Sequence, residues 1–258
     1  MKKTAKTSIQ LAAILAFAPA LFAQFPGGPP PGPPKPAKAV APIDLTGYWV
    51  SIVTEDWRFR MIAAPKGDWA GVPLNPAGQK IAKEWDPAKD EAAGNQCKAY
   101  GAAGLMRLPT RLHITWQDDN TLKIETDNGT QTRLLHFGPP QPPSGPPTLQ
   151  GYSSARWQGS AAGGLFGPAG FDPTKGGSLE VHTSNLAPGY IRRNGVPYSD
   201  KTTVTEYYDV IKEQEADWIV VKTIVTDPVY LFGNFVTSTH FRKQPDATGW
   251  KPSACYDR

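Results

Sequence analysis

Arg111-Leu112-His113-Ile114-Thr115-Trp116, then Thr121-Leu122-Lys123-Ile124-Glu125-Thr126, then Asp127-Asn128-Gly129, then Gln131-Thr132-Arg133-Leu134-Leu135-His136-Phe137: three runs and one turn decide the fold. Within residues 108–116, Leu112, Ile114 and Trp116 alternate with Arg111, His113 and Thr115, the period of a half-buried strand. Asn128-Gly129 between the next two runs reads as a hairpin turn, because both residues tolerate positive φ.

Working outward, strand-like runs recur at residues 47–52, 152–158, 178–184, 202–211, 218–226 and 236–243. Trp218-Ile219-Val220-Val221 is apolar on both faces, which predicts a central strand. One helix is expected after Asn75, which can cap it; Pro76 suits its first turn, Ile81 and Trp85 share a side, and Pro87 follows its end. Two Pro- or Gly-rich breaks, residues 138–147 and 159–177, carry few charges or aromatics and are expected as mobile loops. The pattern predicts an all-β domain: an antiparallel barrel, closed or nearly so, of about eight to ten strands with one short helix. A β-sandwich is the alternative.

Asp44-Leu45-Thr46-Gly47-Tyr48-Trp49 favours the barrel. Gly47-Tyr48-Trp49 resembles the Gly-x-Trp signature on the first strand of lipocalin-like (calycin) barrels, where the Trp plugs one end. Further blocks resemble a group of exported bacterial proteins of unassigned function. These are Pro73-Leu74-Asn75-Pro76-Ala77-Gly78 with Trp85-Asp86-Pro87 and Cys97; Gly151-Tyr152-Ser153 with Arg156-Trp157-Gln158-Gly159 and Gly177-Ser178-Leu179-Glu180-Val181; and Tyr198-Ser199-Asp200 with Thr205-Glu206-Tyr207 and Asp227-Pro228. The resemblance implies a shared fold and no particular reaction. The chain departs from it in the insert between Gly159 and Gly177, and in His182, where a carboxylate is expected.

Residues 1–23 carry the parts of a secretory signal: Lys2, Lys3 and Lys6, an apolar run over residues 11–22 broken by Pro19, and a small residue, Ala23, before the expected cleavage. The apolar run is shorter than the ~20 residues that a membrane-spanning helix needs. The full chain has 27 Lys+Arg against 23 Asp+Glu; removing the three signal lysines leaves a net charge of about +1. This near-neutral balance gives no basis for nucleic-acid binding. Residues 24–42, rich in Pro, Gly, Ala and Lys, read as an extended linker, and residues 43–258 as the barrel domain. Cys97 and Cys255 are the only cysteines. In a periplasmic or secreted protein they are expected as a disulfide.

Candidate chemistry is sparse. His113, His136, His182 and His240 are scattered over strands. They belong either to an ordinary solvated face or, in a barrel, to a cavity. Glu206 alternates with Val204 and Tyr208, so it shares an apolar, aromatic face and needs a partner there. Glu206 with His182 and His113 is the candidate acid/base or metal-holding set; the metal, if any, and any cofactor are unspecified. Trp57-Arg58-Phe59-Arg60 alternates aromatic and cationic residues. Arg58 and Arg60 on one face could hold an anion, or the segment is an edge strand guarded by charge. Trp57, Tyr208 and His240 complete the candidate ligand-binding set. Walker, dinucleotide-binding, c-type haem and nucleophile-elbow motifs are missing. Three functions remain: a barrel binding a small, partly apolar or aromatic molecule; a lyase, isomerase or hydrolase built on Glu206 and cavity histidines; or a cell-envelope interaction module.

Overall fold

The computed structural model describes residues 35–139, 141, 143–159, 161–162, 170–171, 176–213 and 215–256. The expected signal peptide and most of the expected linker lie outside the described residues.

Nine strands close a barrel: β1 (Gly47–Ile52), β2 (Arg111–Asp118), β3 (Thr121–Thr126), β4 (Thr132–Phe137), β5 (Tyr152–Gly159), β8 (Gly177–Ser184), β11 (Thr203–Lys212), β12 (Asp217–Thr226) and β13 (Phe235–Gln244). Their order around the barrel is β1-β13-β12-β11-β8-β5-β4-β3-β2, returning to β1. Two ribbons interrupt the sequence: β6 (Ala161–Ala162) with β7 (Gly170–Phe171), and β9 (Gly189–Arg192) with β10 (Val196–Tyr198). The first ribbon falls inside the expected mobile loop.

The expected barrel is therefore present, with one correction. It is mixed, not wholly antiparallel: β4 and β5 run parallel, pairing Leu135 with Ser153 and Phe137 with Ala155. The 138–151 segment between them is a crossover that carries the chain from one end of the barrel to the other.

The turn between β3 and β4 sits at Asp127-Asn128-Gly129 as expected, but positive φ falls on Gly129 (78°) and Thr130 (48°), not on Asn128. Thr126 N–H donates to Gln131 O at 2.9 Å, so the loop is longer than a two-residue turn. Asp127 fixes it, accepting from Arg111 N at 2.7 Å, Asn128 N at 2.7 Å and Thr110 Oγ1 at 2.9 Å.

The expected helix is joined by three shorter ones among the described residues: α1 (Trp57–Arg60), α2 (Pro76–Glu84), α3 (Pro87–Ala92) and α4 (Ala102–Leu105). The helix read from the sequence is α2. Asn75 Oδ1 caps it by accepting from Gly78 N at 3.0 Å. Its buried face is Gly78 and Ala82, while Ile81 is exposed. A four-residue helix replaces the strand expected at Trp57-Arg58-Phe59-Arg60. Over so few residues, period 2 and period 3.6 are not separable.

Strand alternation points Trp49, Leu112, Ile114, Ile124, Leu135, Leu179, Val181, Tyr208, Ile219, Val221 and Phe241 inward as one buried cluster. A barrel of about this strand number is either filled by side chains or holds one small ligand; here these side chains pack the interior. Trp49 is fully buried, its indole N–H donating to Leu45 O at 2.9 Å.

One end is closed by the segment that precedes β1. A 3-10 turn, Ala37–Val40, docks there: Ala37 N donates to Asn120 Oδ1 at 2.9 Å, and Trp157 Nε1 donates to Ala37 O at 2.9 Å. The compact body thus starts at Lys35, before the expected linker ends. The opposite end is covered by the helices and the β9–β10 ribbon, around a second cluster of Val72, Leu74, Ala82, Ile191, Tyr198, Val204 and Phe235. Cys97 and Cys255 are disulfide-bonded at this end, with Cα atoms 5.1 Å apart. Two sequence blocks also meet here, since the Asp227 carboxylate accepts from Ser199 N at 2.5 Å, Thr202 Oγ1 at 2.7 Å and Val229 N at 2.7 Å.

Candidate functional site

Glu206 lies at the barrel centre and is fully buried. Its partner is Arg133, also fully buried: Nη1 donates to Oε1 at 3.1 Å and Nη2 to Oε2 at 2.7 Å. Arg133 Nη2 also reaches Thr183 Oγ1 at 3.2 Å. Burial acts to lower the Arg133 pKa, but Glu206 and Tyr208 outweigh it, and the guanidinium is held firmly charged. Tyr208 lies beside the pair; burial, then the Glu206 charge, push its pKa up. Two partnered charges inside a packed barrel form a structural centre, closed to solvent. Arg133 was missed by the sequence reading, although it alternates with Leu135 and Phe137 and so had to face inward.

The histidines do not join it. His113 and His182 belong to the alternate, outward positions of β2 and β8. His113 stacks on Tyr48 with ring centroids 4.2 Å apart, and its Nδ1 lies 3.3 Å from Glu125 Oε2. His182 is exposed, with Nδ1 3.4 Å from Thr205 Oγ1. His240 faces outward on β13, with Nδ1 3.3 Å from Glu55 Oε2. His136 stacks on Tyr152 on the outside of β4 and β5. Among the described residues, no three His, Cys, Asp or Glu side chains gather as a metal site. The expected convergence of Glu206 with His113 and His182 is absent, because the barrel wall separates them.

The expected cation pair also divides. In a helix, positions i and i+2 face different ways. Arg58 is solvent-exposed and paired with Asp68 at 2.8 Å. Arg60 is buried: its guanidinium pairs with Glu55, Nε donates to Arg107 O at 2.8 Å, and Nη2 donates to Ser51 Oγ at 3.2 Å. Burial lowers its pKa, partly offset by Glu55. Trp57 stands in solvent, 64 % exposed.

Arg60 leads to a group that the sequence reading missed. At the helical end, the turn after α4 supplies Arg107, and the end of β9 supplies Arg192; both are buried. Arg107 Nη2 donates to Asp56 Oδ2 at 3.1 Å. Asp56 adopts a left-handed conformation, φ 49°, ahead of α1. Arg107 Nη1, and Arg192 Nε and Nη1, are buried with no hydrogen-bond partner. Aromatic faces support both guanidiniums. Arg192 Cζ lies 4.1 Å from the Phe59 centroid and 5.8 Å from that of Phe235, and Arg107 Cζ lies 5.4 Å from Phe235. Burial, then repulsion by Arg107, lower the Arg192 pKa to about 10, against the pull of Asp56 and Asp68.

Phe235 opens onto a groove of about 560 Å³ lined by Gly71, Val72, Pro73, Asn234, Phe235 and Val236. Gly71 on this wall has a left-handed φ of 80°, a conformation that favours glycine. Asn194 ties the segment before α2 to the β9–β10 ribbon, its Nδ2 donating to Pro65 O at 3.0 Å and Asp68 O at 2.8 Å. Two grooves of similar size lie elsewhere. One is at the β11–β12 hairpin, among Lys212, Glu213, Glu215 and Arg242; the other lies beside the docked segment before β1. A smaller groove, of about 260 Å³, is lined by Arg111, Asp127, Asn128 and Tyr256 among others.

No protein family, curated protein or solved structure matches this chain.

Proposed function

We propose that this is an exported barrel protein that binds a small, partly apolar or aromatic molecule at the helical end of the barrel, in the groove beside Phe235. The observation that carries this reading is a shallow, open groove of about 560 Å³ at that end, whose lining includes Val72, Pro73, Phe235 and Val236 beside polar groups. The packed interior favours the mouth of the barrel over its lumen for such a ligand. Export is supported by the signal-like residues 1–23, by the disulfide, and by the resemblance of the quoted blocks to exported bacterial proteins of unassigned function. Among the described residues, no helix is long and apolar enough to cross a membrane. The acid/base reading on Glu206 draws no support from a carboxylate sealed against Arg133.

A thermal-shift screen with small aromatic compounds tests the proposal, run on the wild type and on Val236→Glu. Val236 is exposed on the groove wall, so its replacement leaves the core intact. The expected result is a set of compounds that raise the melting temperature of the wild type but not of the variant. A screen without hits, or hits indifferent to Val236, would refute the proposal.

A further inference from the structure

The segment that leads to Cys255 packs on the outward side chains of β1 and β2. Trp250 stands edge-on to Tyr48 and His113, with ring centroids 5.8 Å and 6.0 Å away. Three residues on, Ser253 N donates to Asp127 O at 2.8 Å, and Ser253 O accepts from Thr130 Oγ1 at 2.9 Å. Lys251 lies between these two anchors and is exposed. Its backbone is thereby fixed beside the groove of about 260 Å³, which Lys251 and Arg111 both line.

Arg111 is held there by packing rather than by its own donors. Gly249, with φ 84°, brings the backbone of the segment against the guanidinium: a Cβ at that position would lie 2.7 Å from Arg111 Nη2 and 2.9 Å from Cζ. Nε is buried without a partner, and Nη1 stands 4.0 Å from Asp127 Oδ2, outside hydrogen-bond range. The side chain is 33 % exposed and lines the groove, so a molecule in the groove can reach it. Among the described residues, Lys251 has no ion-pair partner. Asp127 is the acid in the lining, and its Oδ1 already accepts from Arg111 N, Asn128 N and Thr110 Oγ1. Two cations thus share one groove with one carboxylate, and one positive charge is left uncompensated.

We propose that Arg111 and Lys251 form a second binding site, for a small organic monocarboxylate. This site is separate from the groove beside Phe235 and does not depend on the function read there. A guanidinium offers paired donors that match the two oxygens of a carboxylate, and an ammonium adds a point charge. Val50, Pro109 and Tyr256 line the same groove and supply apolar contact for a short carbon chain. The volume is below that of pockets for drug-sized ligands, which limits the chain to a few carbons. Asp127 disfavours a dianion, because a second negative charge would meet its carboxylate.

The test is an NMR titration of the whole, isotope-labelled protein at pH 8, read at the backbone amides of Arg111, Lys251 and Ser253. The probes are propionate, its neutral amide propionamide, and inorganic phosphate. Propionate is expected to shift these amides along a saturating curve and to bind about tenfold tighter than propionamide, with the difference shrinking as salt rises. Lys251→Met, at an exposed position, is expected to keep the fold and weaken propionate severalfold; Arg111→Met is expected to bring propionate down to the level of the amide. Val236→Glu, which alters the other groove, should leave propionate binding unchanged. Equal binding of propionate and propionamide would overturn the inference, as would unchanged affinity in Lys251→Met. Phosphate binding tighter than propionate would overturn the assignment to a monocarboxylate. Shifts confined to other amides, or loss of binding in Val236→Glu, would place the anion elsewhere and overturn the site.

Discussion

Replacing Glu206 by Gln keeps the shape of the side chain and deletes its charge. Arg133, with none of its side chain exposed, is then left charged, facing one neutral acceptor and one amide donor where it had a carboxylate. Removing one partner of a buried ion pair costs about 3–5 kcal/mol, mostly the energy of the charge left behind. For a domain of this size, each kcal/mol lowers the melting temperature by roughly 2–4 °C, so the expected fall is about 6–20 °C. The double replacement Arg133→Met with Glu206→Leu removes both charges and refills the volume. It should recover most of the loss and is expected within about 1–2 kcal/mol of the wild type. Urea denaturation followed by tryptophan fluorescence measures all three proteins, with an unchanged m-value confirming that the end states are comparable. If Glu206→Gln is as stable as the wild type, the centre is hydrated or mobile and the packed-barrel account fails. If the double variant is less stable than Glu206→Gln, the pair contributes more than its own charge balance, and a structural role for it alone is refuted.

The Cys97–Cys255 disulfide closes a loop with a sequence separation of 158 residues. On the chain-entropy estimate, Cys97→Ala with Cys255→Ala should cost about 5 kcal/mol, read as a lower urea midpoint; unchanged stability would contradict the estimate. Arg192 sets a pH signature. Its folded-state pKa of about 10 lies below the ordinary arginine value of 12.5. The unfolded chain therefore holds this proton to higher pH than the folded one. Stability withheld by Arg192 at neutral pH returns as pH rises through about 10. The melting-temperature advantage expected of Arg192→Met at pH 8 should accordingly narrow by pH 11, and an advantage that widens would show the sign to be wrong.

Local chemistry made much of the barrel legible. Leu112, Ile114 and Trp116 alternate visibly, Asn75 announces α2, and two cysteines in an export context imply a bond. What depends on non-local pairing was not legible. Nothing within β4 or β5 marks them as a parallel pair, since a strand reads alike in either direction. The Trp57–Arg60 helix was lost because four residues cannot display a helical period. The histidines were weighed as cavity groups although their own alternation sets them opposite Leu112, Ile114, Val181 and Thr183. The same rule, applied to Arg133, would have found the true partner of Glu206. Arg107 and Arg192 were out of reach: one sits on a turn and the other at the end of a short ribbon, and only the closed barrel brings them to the same aromatic ring.

The first strand of the barrel hydrogen-bonds to the last, with Tyr48 opposite Gln244 and Ile52 opposite His240. A chain that emerges from the ribosome, or enters another compartment, beginning with its N-terminus must therefore keep one edge of β1 open until nearly all of it has arrived. That edge is a template for pairing with other chains in the meantime. Closure by so distant a partner predicts slow, all-or-none assembly, and the covalent bond to Cys255, which lies beyond the last strand, must likewise wait for the end of the chain.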